Sequence, residues 1–211
     1  MIEFLNFEPR PAWHLVIAFA GVRQRLGGIP FEFHKSLGSL DCTAMFVKDT
    51  EPRWYQYSDT EISAFIERIR AAAKETGAER VICLGNSRGG YGALLFGALC
   101  NADAIVSFAP QSAIDPAILH ELGDTRFDAF TRAIPAFPFG DLLRITPASG
   151  RVEVCFGDDE PLDRVHAERL RPTWNCEQIV VPNSGHDVAA KLKERGELLP
   201  MLGRIIAGER P

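Results

Sequence analysis

No apolar run in this 211-residue chain reaches the roughly 18 residues that a membrane-spanning helix needs. The opening stretch, "MIEFLNFEPRP", lacks both the basic start and the apolar core of a secretory signal. Basic residues are in the minority: 23 Lys and Arg against 28 Asp and Glu leave a net charge of −5. That balance offers no electrostatic footprint for nucleic acid. Cysteines are few and odd in number (Cys42, Cys83, Cys100, Cys155 and Cys176), and no CxxC occurs. Cys83 and Cys155 fall inside apolar runs, where a reduced thiol packs as a small hydrophobe. A disulfide framework is disfavoured, and no Cys/His cluster has metal-ligand spacing. These absences read as a cytoplasmic protein with no metal, no membrane partner and no nucleic-acid partner.

What is present is ordinary for a globular domain: 46% hydrophobic and 24% charged residues, at a length that suits a single domain with one core. Six short apolar runs recur, at 14–21, 42–49, 80–85, 104–110, 151–158 and 177–182. Each is bounded by Gly, Pro or Asp, as strands buried on both faces of a parallel sheet are. Helical patterns alternate with them. In 58–77, Ile62, Phe65, Ile66 and Ile69 form one apolar stripe; Ser58 and Glu61 have capping-box spacing, and Gly77 can end the helix. Residues 90–100, 164–172 and 188–208 also read as helical. The expectation is an α/β, doubly wound, mostly parallel sheet. Residues 111–150, rich in Ala, Phe and Pro, read as a short helical insert over one end of it.

One stretch stands out: "CLGNSRGGYGALLFG", residues 83–97. Gly85-Asn86-Ser87-Arg88-Gly89 is G-x-S-x-G between a strand and a helix, the context of a nucleophile elbow. There a serine sits on a strained turn with its hydroxyl projecting, and neighbouring positions admit no Cβ. The N-terminus of the following helix adds partial positive charge beside an oxyanion. A serine needs a base, and His186 in "NSGH" follows the last strand run, behind Ser184 and Gly185. Among the other histidines, His14 belongs at the wrong end of the sheet and His166 reads as a surface or packing residue. His120 could wall a pocket, and a pocket role stays open for His34. The base in turn needs a carboxylate. Asp158, Asp159, Glu160 and Asp163 all follow the 151–158 run. Counting back from the helix favours Asp159, counting forward from Gly157 favours Glu160, and Asp163 is reachable if the loop folds back. Asp159 is preferred, with Asp163 next.

With "IAFAG", "GNSRGG", "FGDDEPLD" and "NSGH" in this order, nearly the whole chain resembles the α/β-hydrolase superfamily. It is most similar to a small bacterial branch carrying "GGYGALLFGALCNADAIVSFAPQ" after the serine. The resemblance implies a trimmed α/β-hydrolase fold and no cofactor, with Ser87 as nucleophile and His186 as base. The Arg88 backbone N–H matches the first oxyanion donor and Val22 the second, although "FAGV" replaces the usual HG or HGGG motif. The implied activity is hydrolysis of a small-molecule carboxylic ester through an acyl-enzyme. An acyltransferase with the same triad and a non-catalytic binding relative are the alternatives.

Substrates in open α/β sheets sit at the carboxyl ends of the strands. That places 48–57 and 109–113 near Ser87, so Trp54, Tyr55 and Gln111 are candidate substrate-binding residues. The Arg88 side chain could attract a carboxylate or pair with a nearby acid. Phe127, Phe130, Phe137 and Phe139 could line an acyl pocket or close a small core.

Overall fold

A computed structural model of the chain describes residues 2–5, 9, 11–22, 32–51 and 53–209. One seven-stranded sheet runs through it, in the order β1-β3-β2-β4-β5-β6-β7. The strands are β1 (Ile2–Leu5), β2 (His14–Phe19), β3 (Thr43–Asp49), β4 (Arg80–Asn86), β5 (Ala104–Phe108), β6 (Arg151–Gly157) and β7 (Glu177–Val181). β2 to β7 pair in parallel, and β1 pairs antiparallel with β3 at one edge. The six apolar runs are the six parallel strands; the short β1 was not among them.

Alternation along each strand divides the core into two layers. Leu15, Ile17 and Phe19 of β2 face one layer with α2 (Asp59–Thr76), α3 (Arg88–Leu99) and α6 (Pro161–Trp174). Val16 and Ala18 face the other, with α1 (His34–Gly38), α7 (Val188–Glu194) and α8 (Leu198–Ala207). Helices thus cover both faces, as a doubly wound sheet requires. α2 starts and stops as its sequence dictates. Ser58 and Glu61 exchange hydrogen bonds in a capping box, and Gly77 closes the helix at φ 70°. The expected helix over 188–208 is two helices, because Gly196, at φ 73°, breaks it.

Residues 111–150 carry α4 (Pro116–Glu121), α5 (Asp128–Thr131) and a 3₁₀ turn, Leu142–Arg144. The segment is sewn to the body at several points. Arg169 of α6 donates two hydrogen bonds to the Asp141 carboxylate (2.8 and 3.1 Å), and Trp174 Nε1 donates to the Leu142 carbonyl. The Phe139 N–H donates to Gln56 Oε1, and Tyr91 Oη to the Phe139 carbonyl.

The strand order reverses between β2 and β4. From β2 the chain crosses to β3 on one side, then returns to β4 on the other. Crevices at the carboxyl ends of strands open at such a switch point.

Candidate active site

β4 ends at Asn86 and α3 begins at Arg88, leaving Ser87 alone on the turn at φ 55° and ψ −120°. A left-handed φ is costly for any residue but glycine, on the order of 1–3 kcal/mol. The surroundings enforce it: the Ser87 N–H donates to the Phe108 carbonyl of β5, and the Tyr91 N–H donates to the Ser87 carbonyl. The turn is also pressed tight. A Cβ on Gly85 would collide with the Gly89 carbonyl, and one on Gly89 with the Phe19 carbonyl of β2. Both glycines are therefore obligatory for steric reasons.

The Ser87 hydroxyl lies 2.8 Å from His186 Nε2. His186 Nδ1 lies 2.7 Å from Asp163 Oδ2. Ser87 is nearly buried and Asp163 fully so, while the His186 side chain keeps 29% of its exposure. The carboxylate facing the ring is thus Asp163, not the preferred Asp159. Asp159 is exposed and its N–H donates to the Ser184 carbonyl. Asp158 Oδ1 accepts a long bond from the Ser184 N–H, and Glu160 caps α6 by accepting from the Leu162 N–H. The physical reason is the start of α6. Pro161 occupies its first turn, three residues earlier than the expected 164, so Asp163 rides on the helix and not on the loop.

The loop after β2 runs beside the elbow, because Phe19 is in register with Gly85. Val22 is half-buried on this loop. Three side chains hold it from behind. Tyr55 Oη donates to the Ala20 carbonyl (2.8 Å), Arg88 Nη2 donates to the Gly21 carbonyl (2.8 Å), and Glu32 accepts from the Gly21 N–H. Arg88 also lies 3.6 Å from Asp49, whose carboxylate accepts from the Tyr55 N–H and from Tyr57 Oη. Burial pushes the Glu32 carboxyl up to about 7, against the pull of the Gly21 N–H and the Arg88 charge. Burial likewise raises Asp49, although Tyr57 and Arg88 oppose it. The Arg88 guanidinium is therefore a buried support for this loop and pairs with an acid of the chain itself.

Two expected substrate contacts need correction. Tyr55 is fully buried: its hydroxyl is spent on Ala20 and its ring packs on Phe19 and Phe96. Trp54 is 1% exposed and lies beneath the insert, against Phe127 (5.1 Å) and Phe130 (6.1 Å). Neither presents a face to a ligand. Gln111 is also fully buried, with no hydrogen-bond partner for either amide atom among the described residues. Of the insert phenylalanines, Phe127 places its ring 6.3 Å from that of His186. His120 is exposed and pairs with Asp128, while His34 leans on Phe46. Of the 48–57 segment, Pro52 lies outside the described residues.

A second histidine, His166, expected from the sequence as a surface or packing residue, sits in a polar network behind Asp163. His166 is completely buried on α6, one turn beyond Asp163. Its Nδ1 accepts from the Ser112 N–H (3.0 Å), so Nε2 carries the hydrogen that meets Asp124 Oδ2 at 3.0 Å. Asp124 also accepts from Arg126, at Nε (3.0 Å) and Nη2 (2.8 Å). Arg126 Nη1 then reaches Asp163 Oδ1 at 2.9 Å. Burial alone would raise the Asp124 carboxyl, but the His166 N–H and the Arg126 guanidinium outweigh it and hold it below the ordinary carboxylate range. The detectable signal was Asp163, His166 and Arg169 at three-residue spacing, a polar stripe on one helix face. Among the described residues, no group of His, Cys, Asp and Glu is placed to hold a metal ion, and no helix is long and apolar enough to cross a membrane.

No family model matches the chain, and no curated protein is similar to it in sequence. Solved structures are similar over its full length. An arylesterase has a TM-score of 0.66 at 17% identity, covering 98% of this chain and 84% of that one. Est1E from Butyrivibrio proteoclasticus has a TM-score of 0.60 at 14% identity, covering 97% and 93%. The capsule O-acetyltransferase of Neisseria meningitidis serogroup A has a TM-score of 0.64 at 18% identity, covering 96% and 90%. In the Gap123 glycosylation-associated complex from Streptococcus agalactiae (TM-score 0.63, 16% identity), 98% of this chain matches but spans only 44% of the other. Identities this low speak to fold alone, and together with the parallel sheet, the strand order and the elbow after β4 they establish that the chain has the α/β-hydrolase fold.

Proposed function

We propose that the protein is a serine hydrolase of carboxylic esters, with Ser87 as nucleophile, His186 as general base and Asp163 as the acid that orients it. The observation that carries this reading is the unbroken line of contacts Ser87 Oγ–His186 Nε2–His186 Nδ1–Asp163 Oδ2 at a serine held in a left-handed conformation. Ser87 Oγ attacks the ester carbonyl carbon while its proton passes to His186 Nε2. The buried Asp163 carboxylate stabilises the imidazolium so formed. Negative charge develops on the former carbonyl oxygen, beside the first turn of α3. The Arg88 N–H and the Val22 N–H are the donors assigned to it, and losing such a donor costs about 3 kcal/mol of barrier. Collapse of the intermediate breaks the bond to the alcohol oxygen, which leaves with the proton from His186. Water then attacks the acyl-enzyme with the same base, releasing the acid and free Ser87.

Transfer of the acyl group to an alcohol instead of water is the second reading, supported by the match to an O-acetyltransferase over 96% of the chain. Both share every step up to the acyl-enzyme. The test is labelling by a fluorophosphonate together with turnover of short p-nitrophenyl esters. Wild type should label and turn over. Ser87→Ala should do neither, Asp163→Asn should lose roughly 10³-fold or more, and Asp159→Asn should stay near wild type. An unlabelled, inactive wild type would remove the reading. Added alcohols that outcompete water would move it to transfer.

A further inference from the structure

Asp163 has two oxygens, and the reaction above uses only one. Oδ2 faces His186, while Oδ1 accepts from Arg126 Nη1 at 2.9 Å. A lone arginine there would be harmful, because its charge would offset the one that stabilises the imidazolium. Arg126 is not alone. Its other edge is forked onto Asp124, whose Oδ1 also accepts from the Arg126 backbone N–H (3.0 Å) and closes a tight turn. Asp124 is fully buried and is held from its far side by the His166 N–H.

We propose that Arg126 and Asp124, carried by the insert and steadied by His166, are positioning residues for the Asp163–His186 pair: they fix the carboxylate without cancelling its charge. This rests on the catalytic reading of Ser87, His186 and Asp163. The arginine supplies direction, since a planar guanidinium that grips Asp124 along one edge turns Nη1 toward α6, where Asp163 Oδ1 is the nearer acceptor (2.9 Å). The aspartate restores neutrality, so the ring still faces an undiminished negative charge. His166 fixes Asp124 through one tautomer, selected by the Ser112 N–H. Around the pair, Ser87 comes from the β4–α3 turn, Arg126 and Asp124 from the insert, and His166 and Glu160 from α6 and its cap. Glu160 lies 3.3 Å from Arg126 Nη1 and is a quarter exposed, so solvent screens it more than Asp124.

The charge balance makes opposite predictions for the two partners. In Arg126→Met, Asp124 is left uncompensated and favours the imidazolium, so the acid limb of the kcat/KM profile moves to higher pH. In Asp124→Asn, Arg126 is left uncompensated and disfavours it, so the limb moves to lower pH. Each move should reach about half a pH unit, a roughly threefold change on the limb. The double variant should return the limb toward wild type. Arg126→Lys should leave the limb in place while kcat falls, because the charge stays and the fork is lost.

The probes are p-nitrophenyl acetate hydrolysis across pH and, independently of turnover, the titration of the His186 ring followed by NMR. A purely structural role would lower activity in every variant and leave the limb where it was. Limbs that stay fixed, or move the same way in both single variants, overturn the proposal. If Asp124→Asn does not fold, Arg126→Met against Arg126→Lys still decides, one limb moving up and the other staying. If wild type neither labels nor hydrolyses, the catalytic reading has failed, and ring titration still tests the coupling.

Discussion

Glu32 occupies an expensive position for a carboxylate: it is 4% exposed, behind the loop that follows β2. Its carboxyl is pushed by burial from an ordinary value near 4.5 up to about 7. The folded state therefore holds this proton more tightly than the unfolded chain. The stability it contributes is complete below about pH 4.5 and is lost as pH rises through about 7. Glu32→Gln has no proton to lose and keeps an oxygen for the Gly21 N–H. Its stability relative to wild type should grow by on the order of 2 kcal/mol between pH 4.5 and pH 8, read by urea unfolding at the two pH values. A gap that does not widen would mean that Glu32 ionises freely in the folded protein. The same residue stands one hydrogen bond from the loop beside Ser87, the proposed nucleophile.

At the scale of elements, a glycine of α3 and one of α8 make opposite forecasts. In Gly89→Ala, the new Cβ meets the backbone carbonyl of Phe19, which cannot yield without parting β2 from α3. The expected loss is 4 kcal/mol or more, as rough order, or failure to fold. Gly203 lies within α8, where a Cβ would meet only Leu40 Cδ2 at 3.6 Å. Gly203→Ala should therefore stabilise by up to about 1 kcal/mol through helix propensity. Thermal unfolding of the two variants checks both signs. Elements of this kind were legible in proportion to their burial. The six parallel strands announce themselves because strands buried on both faces become unbroken apolar runs. β1 and α1 do not, being four and five residues long and dependent on partners elsewhere in the chain. The helical pattern of 164–172 places the start of α6 too late, because Glu160-Pro161 is a cap followed by a first-turn proline. Counting back from 164 lands on Asp159, whereas the earlier start carries Asp163 on the helix to face His186. Ser87 and His186 were legible because small residues on sharp turns mark them. Arg126 and Asp124 were not, since they meet Asp163 and His166 across 37 and 42 residues of chain, and only tertiary packing brings them there.

Across the whole molecule, the insert behaves as part of the body. Asp141, Leu142 and Phe139 bind it to α6 and α3, and Phe127 and Ile134 enter the larger core layer. Hydrogen exchange should show amides of 119–131 protected together with those of α6, in one cooperative unit. Exchange of the insert orders of magnitude faster than α6 would instead describe a separate, weakly held flap. The tie between Arg126 and Asp163 gives this architecture a consequence for traffic. On the proposed role of Asp163, a wall pinned to its carboxylate cannot double as a door, because swinging residues 124–126 outward would break the hold on the carboxylate that faces His186.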